Sequence, residues 1–249
     1  MTTIAEVKKW TRPILAEHAD LALKPRKLYL SPVHHIHRYI QFLGSYDRTL
    51  SKPTAGFCIL FGPPTGRLSN NWDRELIVGW STDAGFQDRL ATAIRQTLEY
   101  PFRPLAEIED LYGLMQDSRL HWQHQAELLL SQDAFLHASV LAALGRLPEA
   151  CAVAQAYIDK DEAKWLESKA MGEALLDKPR KRSEGESRIR LANHFLKPMD
   201  DMRQLIALAS ANDRVAVAAL LHEWEEHNAR REGVEDVWEP TPFPLERAL

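Results

Sequence analysis

The feature that most constrains this fold is a change in the character of the sequence near residue 104. Before that point, short segments rich in Ile, Leu, Phe, Tyr and Val alternate with Pro, Gly, Asn and Ser, as in β-strands joined by turns. The connections between these segments suit an antiparallel sheet better than helical crossovers. The pattern predicts three or four strands, at residues 27–31, 36–42, 56–61 and 76–80.

Two helices are predicted beside this sheet. Thr3 followed by Glu6 fits a capping box, and apolar residues continue at helical spacing to Pro13, which we expect to kink or divide the helix. Asp83 is expected to cap the second helix. The buried face of that helix is predicted to consist of residues four apart, namely Phe86, Leu90, Ile94 and Leu98.

The rest of the chain shows helical patterns and no convincing strand between residues 105 and 228. The last seventeen residues contain three prolines and are expected to be extended. The predicted helices lie near residues 105–116, 119–130, 133–144, 148–158, 161–176, 186–196, 199–210 and 213–229. The sequence therefore predicts an α+β protein with a mixed region at 1–103, helical hairpins at 104–232 and an extended tail at 233–249.

Composition places the chain among ordinary globular proteins, with 45% apolar and 27% charged residues. The sequence shows no apolar stretch typical of a membrane span or a secretory signal, which predicts a cytoplasmic protein without a membrane partner. Cys58 and Cys151 cannot form a disulfide framework, and we expect both to be buried packing residues. The small net charge of −4 argues against a nucleic-acid partner.

Residues 142–150 read Ala-Ala-Leu-Gly-Arg-Leu-Pro-Glu-Ala, in which Gly145 would end one helix and Ala150 would allow a close helix contact. This stretch, within residues 134–158, resembles the inter-helix turn of a tetratricopeptide repeat. A second predicted turn, at 210–213, lies close to two repeat lengths further on. The resemblance implies a concave surface for a protein or peptide partner, and generic antiparallel helical hairpins are the alternative.

The most distinctive candidate site is the run Pro-Val-His-His-Ile-His at residues 32–37. On a strand, His35 and His37 would point to one face and could share a metal ion, as His-x-His strands do in several metalloenzymes. No third ligand is identifiable from the sequence. A polar strand that faces solvent is the alternative, as is a role in partner contact or proton transfer.

A second histidine pattern lies near the C-terminus. His222 and His227 are five residues apart and do not match the zinc-protease motif, whose histidines are four apart on one helix face. The four-apart pairs of His222 with Glu226 and of Glu223 with His227 instead predict surface ion pairs.

Two further patterns are weaker. His121 and His124 lie three apart on a predicted helix, but such pairs are more often surface residues than metal ligands. Residues 178–182 include four basic side chains and no aromatic residue, which favours a solvent-exposed loop over a contact with phosphates or an acidic protein.

The C-terminal half is acidic, since residues 121–249 include 22 acidic and 16 basic side chains. This asymmetry would steer a basic protein partner. Large apolar residues in the proline-rich tail are expected to pack on the protein itself or in a groove of a partner. The predicted partner-binding residues are Glu225, Glu226, Glu235, Asp236, Trp238 and Phe243.

No recognisable catalytic set, phosphate loop or dinucleotide fingerprint occurs in the sequence, and no cofactor is predicted. We therefore expect a non-enzymatic protein-binding module, for example a bacterial immunity or antitoxin-like protein. One alternative is a metal-dependent enzyme built on the His-x-His strand. A structural or assembly component is the other.

Overall fold

The computed structural model describes residues 2–43, 49, 51–64, 72–116 and 134–247. It confirms the α+β class, with the sheet in the N-terminal part and helical hairpins in the C-terminal part. The strands are β1 (Leu21–Lys24), β2 (Lys27–Leu30), β3 (Ile36–Leu43), β4 (Lys52–Ile59) and β5 (Trp72–Glu75). The helices within the described residues are α1 (Ile4–Glu17), α2 (Phe86–Thr97), α3 (Ile108–Gln116), α4 (Ala134–Ala143), α5 (Leu147–Glu173), α6 (Arg182–Ser210), α7 (Arg214–Glu232) and α8 (Pro244–Arg247).

The sheet is antiparallel throughout, and its order β1-β2-β3-β4-β5 follows the chain. The strand predicted at 76–80 is wrong, because the last strand ends at Glu75. Glu75 pairs with Thr54, only two residues after β4 begins, so the ladder has little partner strand left beyond that point. The sequence also missed β1, a four-residue strand that pairs with β2 across a two-residue turn.

The first helix has the predicted N-terminus. The backbone N–H of Glu6 donates to the Thr3 hydroxyl at 3.2 Å, and the Thr3 N–H donates to the Glu6 carboxylate at 2.7 Å. Pro13 lies inside α1, which is assigned as one helix rather than two. The capping box is therefore confirmed, and of the two expected effects of Pro13, a kink or a division, the division does not occur.

The start of α2 differs from the prediction. Its N-cap is Gly85, in the left-handed conformation with φ of 75°, and no side chain caps the helix. Asp83 instead accepts a hydrogen bond from the backbone N–H of Trp80 and pairs with Arg89 at 3.2 Å. The four-residue stripe of the helix is buried, as expected, at Phe86, Leu90, Ile94 and Leu98.

The helices of the C-terminal part are longer than predicted. The expected pair at 148–158 and 161–176 is the single helix α5, and the pair at 186–196 and 199–210 is the single helix α6. The first junction contains neither Gly nor Pro, and in the second Pro198 lies inside a helix that continues past it. The sequence pattern therefore predicted helix ends at two positions where the backbone can continue as a helix.

The turn between α4 and α5 ends the first helix with a left-handed glycine. Gly145 has φ of +78°, and the N–H of Arg146 donates to the carbonyl of Leu141 at 2.8 Å, which is the pattern of a Schellman cap. Ala150 is fully buried. The resemblance to tetratricopeptide repeats stays a prediction.

Residue contacts divide the chain into two compact units that are not contiguous in sequence. One contains residues 1–60, 69–126 and 229–241, and the other contains 61–68, 127–228 and 242–249. The sequence-based division into 1–103, 104–232 and 233–249 follows chain order and stays a prediction.

Two other predictions concern the ends of the helical part. The helix expected at 119–130, with His121 and His124, lies outside the described residues. The tail is not extended throughout, because Pro244–Arg247 forms a short helix that begins with a proline. The N–H of Phe243 donates to the Glu246 carboxylate at 2.7 Å and stabilises this turn.

Candidate metal centre

The C-terminal segment, defined as residues 229–241, packs on one face of the sheet. The buried residues of this contact come from three strands and from the segment itself. Tyr29, Tyr39 and Cys58 contribute from the sheet, and Ala229 and Val234 contribute from the segment. An apolar contact therefore positions the segment before any polar group is considered.

Ion pairs and hydrogen bonds fix the register of the C-terminal segment. Lys27 on β2 pairs with Glu232 at 2.9 Å, and Lys24 on β1 pairs with Asp236. Further along, the N–H of Val33 donates to the Val237 carbonyl at 2.9 Å, within a parallel bridge. The carboxylate of Glu232 is therefore held over the strands at the point where α7 ends.

Three metal-binding side chains converge beneath this contact. His37 on β3 and Cys58 on β4 are direct cross-strand partners, so their side chains lie on the same face of the sheet. His37 Nδ1 lies 3.9 Å from Cys58 Sγ and 3.8 Å from Glu232 Oε2. The three donor atoms all lie within 4.8 Å of one another.

Two of the three side chains are inaccessible to solvent. His37 is 0% exposed and Cys58 is 2% exposed, whereas the Glu232 side chain is 21% exposed. The His37 ring packs against Tyr39 and Tyr29, with ring centroids 5.0 and 5.9 Å away. The cluster is therefore reached from solvent on the Glu232 side.

Burial determines the protonation states of the cluster. Burial, with the positive charges of Lys27 and Arg38 nearby, lowers the pKa of His37 to about 3. Burial raises the pKa of the Cys58 thiol, and the negative charge of Glu232 adds to this effect. At neutral pH the ligand-free cluster therefore contains a neutral imidazole, a thiol and a carboxylate that is ion-paired with Lys27.

The geometry does not match a nucleophile–base–acid triad. In a triad, one imidazole nitrogen faces the nucleophile and the other faces the carboxylate. Here the single atom His37 Nδ1 faces both Cys58 and Glu232. His37 Nε2 is buried and has no hydrogen-bond partner among the described residues.

The same convergence suits a metal ion. Tetrahedral zinc, bound to sulfur at about 2.3 Å and to nitrogen or oxygen at about 2.0–2.1 Å, places its donors about 3.3–3.6 Å apart. The two separations from His37 Nδ1, 3.8 and 3.9 Å, are only slightly larger. The Cys58 and Glu232 donors lie within 4.8 Å of each other, so side-chain shifts of up to about 1 Å would bring the three donors into the first coordination sphere of one ion.

The structure separates the two histidines that the sequence paired. His37 lies in the cluster, whereas His35 precedes β3 and its Nε2 lies 3.1 Å from the Thr241 hydroxyl in a hydrogen bond. Both are buried, so the alternative of a solvent-facing strand is wrong. The C-terminal segment buries this face of the sheet, and the sequence near residue 35 gives no sign that a segment about 200 residues away would pack there.

The predicted partner-binding residues are dispersed. Glu225 and Phe243 are fully buried, so neither contributes to an exposed surface. Asp236 is ion-paired with Lys24, and Trp238 is partly buried at the parallel bridge. Glu226 and Glu235 are exposed, as is Asp236.

His222 pairs with different carboxylates from those predicted. It lies 3.4 Å from Glu225 and 3.0 Å from Glu246, so the expected pair with Glu226 is wrong. The nearby carboxylate of Glu225 raises the pKa of His222 against the effect of burial, and Glu246, which forms a hydrogen bond with His222 Nε2, adds to the rise. The ring also packs 4.5 Å from that of Phe243, which places it within a structural contact.

Sequence reasoning missed two of the three cluster residues. Cys58 was interpreted as a packing residue, and Glu232 was not singled out. The register that brings Cys58 opposite His37 depends on a strand that begins at Lys52, four residues before the predicted start, and nothing local identifies Glu232. Cys151, also expected to be buried, is only partly so.

Comparison of the chain with known protein families, with curated proteins and with solved structures found no match. The described helices include none with the length and apolar character that spanning a bilayer requires. The geometry of the cluster is thus the principal basis for a functional proposal.

Proposed function

We propose that this protein is a non-enzymatic binding protein that holds one divalent transition-metal ion through His37, Cys58 and Glu232. The observation that supports this proposal is the convergence of three different donor atoms on one point, with Nδ1 of His37 within 3.9 Å of the other two. Zinc is the metal that this donor set favours.

The donor types support zinc over the alkaline-earth ions. Calcium and magnesium select oxygen ligands, whereas thiolate and imidazole together favour zinc or a similar ion. A cysteine thiol becomes a metal ligand only after it loses its proton, and because the pKa of Cys58 is raised, metal binding would release that proton. Affinity for zinc should therefore increase with pH.

The position of the site supports a structural role for the ion. Two ligands come from adjacent strands and the third from the end of α7, so the ion would join the sheet to the C-terminal segment. Burial of His37 and Cys58 leaves little room for a substrate on the sheet side. A fourth ligand, such as water, has access beside Glu232.

A zinc titration of chelator-treated protein tests this proposal. Native mass spectrometry should show one bound zinc per chain, and Cys58→Ser should lose it. Cys151→Ser is the matched control, because it removes the same thiol from a site outside the cluster. Equal zinc binding by both variants would refute the assignment.

Protein binding is the second candidate function, and exposed apolar side chains of the C-terminal hairpin favour it. Leu166 and Met171 on α5 and Leu191 on α6 are each about half exposed. An immunity or antitoxin-like role belongs to this candidate and stays a proposal. Binding of a defined helical peptide to the groove of the same hairpin tests whether this part of the molecule takes a protein partner.

A further inference from the structure

The outer half of the α5–α6 hairpin, residues 159–197, buries very few of its residues. Its only buried residues are Gly172, Gly185 and Ala192, all of them small. Larger apolar side chains, including Trp165 and Phe195, are only partly buried. In a pair of packed helices, each helix buries only one face against the other. The remaining apolar side chains stay exposed unless a third element packs on them.

This part of the hairpin is nevertheless firmly packed. A Cβ added to Gly185 would lie 2.6 Å from the carbonyl oxygen of Gly172, so the two helices approach as closely as glycine permits. Trp165 stacks on Phe195 with a centroid separation of 4.0 Å and an angle of 9°. The exposed surface is therefore preorganised for a partner, and binding would not have to order it.

One face of α6 forms a groove at this end of the hairpin. Its apolar members are Leu176 and Ile189, and its basic members include Arg182, Arg190 and Lys197. Glu186 is the acidic residue of the lining and pairs with Arg182 at 3.1 Å. The groove thus combines an apolar strip with an excess of positive charge.

The spacing of these side chains fits a helical partner. Residues 182–197 occupy one side of α6 at intervals of three and four, over about 22 Å of helix axis. The exposed basic turn at 178–182 extends the positive charge beyond the start of α6. The whole chain has a net charge of −4, whereas this region is positive and would attract an acidic segment.

We propose that this groove binds an acidic amphipathic helix of another protein. The apolar side of such a helix would cover Leu176 and Ile189, and its carboxylates would pair with Arg190 and Lys197. The proposal rests on the hairpin alone and is independent of the metal centre.

Two other occupants fit the groove less well. A second copy of this chain, related by a two-fold axis through the groove, would bring Arg190 and Lys197 near their own counterparts and would incur charge repulsion. Single-stranded nucleic acid is usually bound by basic grooves that contain stacking aromatic side chains. The described residues that line the groove include no Phe, Tyr or Trp.

Fluorescence anisotropy with two labelled helical peptides of about 20 residues tests the proposal. Both peptides have Leu at every third or fourth position, and the remaining positions are mainly Glu in one and mainly Lys in the other. The full-length protein should bind the Glu peptide and not the Lys peptide. The double variant Arg190→Glu with Lys197→Glu should lose about tenfold in affinity for the Glu peptide and gain affinity for the Lys peptide.

The matched control is Lys8→Glu with Lys9→Glu, which makes the same charge change on exposed residues of α1. It should leave binding of both peptides unchanged. Equal binding of the two peptides by the unmodified protein would overturn the proposal, as would equal loss of binding in the control. A dimer in sedimentation that the groove variant dissociates, or tighter binding of a poly-uridine oligonucleotide, would also overturn it in favour of another occupant.

Discussion

Acid should destabilise the metal-free protein through His37, with a size that follows from its burial. The imidazole is buried and neutral, and its pKa is lowered to about 3, whereas in the unfolded chain it is close to 6.5. Between these two values the unfolded chain binds one more proton than the folded protein. The folded state therefore loses stability as the pH falls below about 6.5.

The magnitude follows from the same two values. Each pH unit in this window costs about 1.4 kcal/mol per displaced proton, so His37 should remove about 2 kcal/mol of stability between pH 6.5 and pH 5. This is a large fraction of the free energy of unfolding of a typical domain, about 5–15 kcal/mol. The effect belongs to the protein without metal, since a bound ion would hold the imidazole unprotonated.

Urea denaturation of chelator-treated protein at pH 7, 6.5, 6, 5.5 and 5 measures this loss. His37→Gln has no titrating ring, so its free energy of unfolding should fall by about 2 kcal/mol less over the same range. Other histidines contribute equally to both curves and cancel in the difference. Parallel curves for the two proteins would refute the assignment of a buried neutral imidazole at this position.

Three other perturbations have definite outcomes. The pKa of His222 is raised, so the charged ring stabilises the fold fully below pH 6.5, and this stabilisation is lost as the pH rises through the folded-state pKa. Between pH 6 and pH 9 the free energy of unfolding of His222→Gln should therefore decline less than that of the unmodified protein. Gly185→Ala should lower the free energy of unfolding by about 1–3 kcal/mol, because the added Cβ overpacks the hairpin. Gly113→Ala, whose Cβ would enter open space, should raise it by up to about 1 kcal/mol in the same urea assay. Lys27→Met removes the cation that competes for Glu232, and calorimetric titration should show tighter zinc binding; weaker binding would contradict the proposed ligand role of Glu232.

Local patterns predicted the parts of this fold that depend on neighbouring residues. The capping box at Thr3, the buried stripe of α2 and the glycine turn at residue 145 are each specified within a few positions. The strand predicted at 36–42 is likewise present as β3. Periodicity and turn chemistry determine these features directly.

Long-range packing decided what the sequence could not predict. The alternatives for His37 were metal binding, a solvent-facing strand, and a role in partner contact or proton transfer, and it is buried because the C-terminal segment lies over the sheet. Glu232 reaches His37 only through that contact. Likewise, the burial of Glu225 depends on helix packing, so charge alone placed it wrongly on a surface, whereas Phe243 packs on the protein itself, one of the two outcomes expected for the tail.

X-ray absorption spectroscopy of the zinc-loaded protein is the most direct test of the proposed metal centre, because it identifies the atoms that bind the ion. We expect one sulfur at about 2.3 Å and nitrogen or oxygen ligands at about 2.0–2.2 Å. The sulfur contribution should disappear in Cys58→Ser and persist in Cys151→Ser. Zinc bound by nitrogen and oxygen alone in the unmodified protein would contradict a centre formed by His37, Cys58 and Glu232.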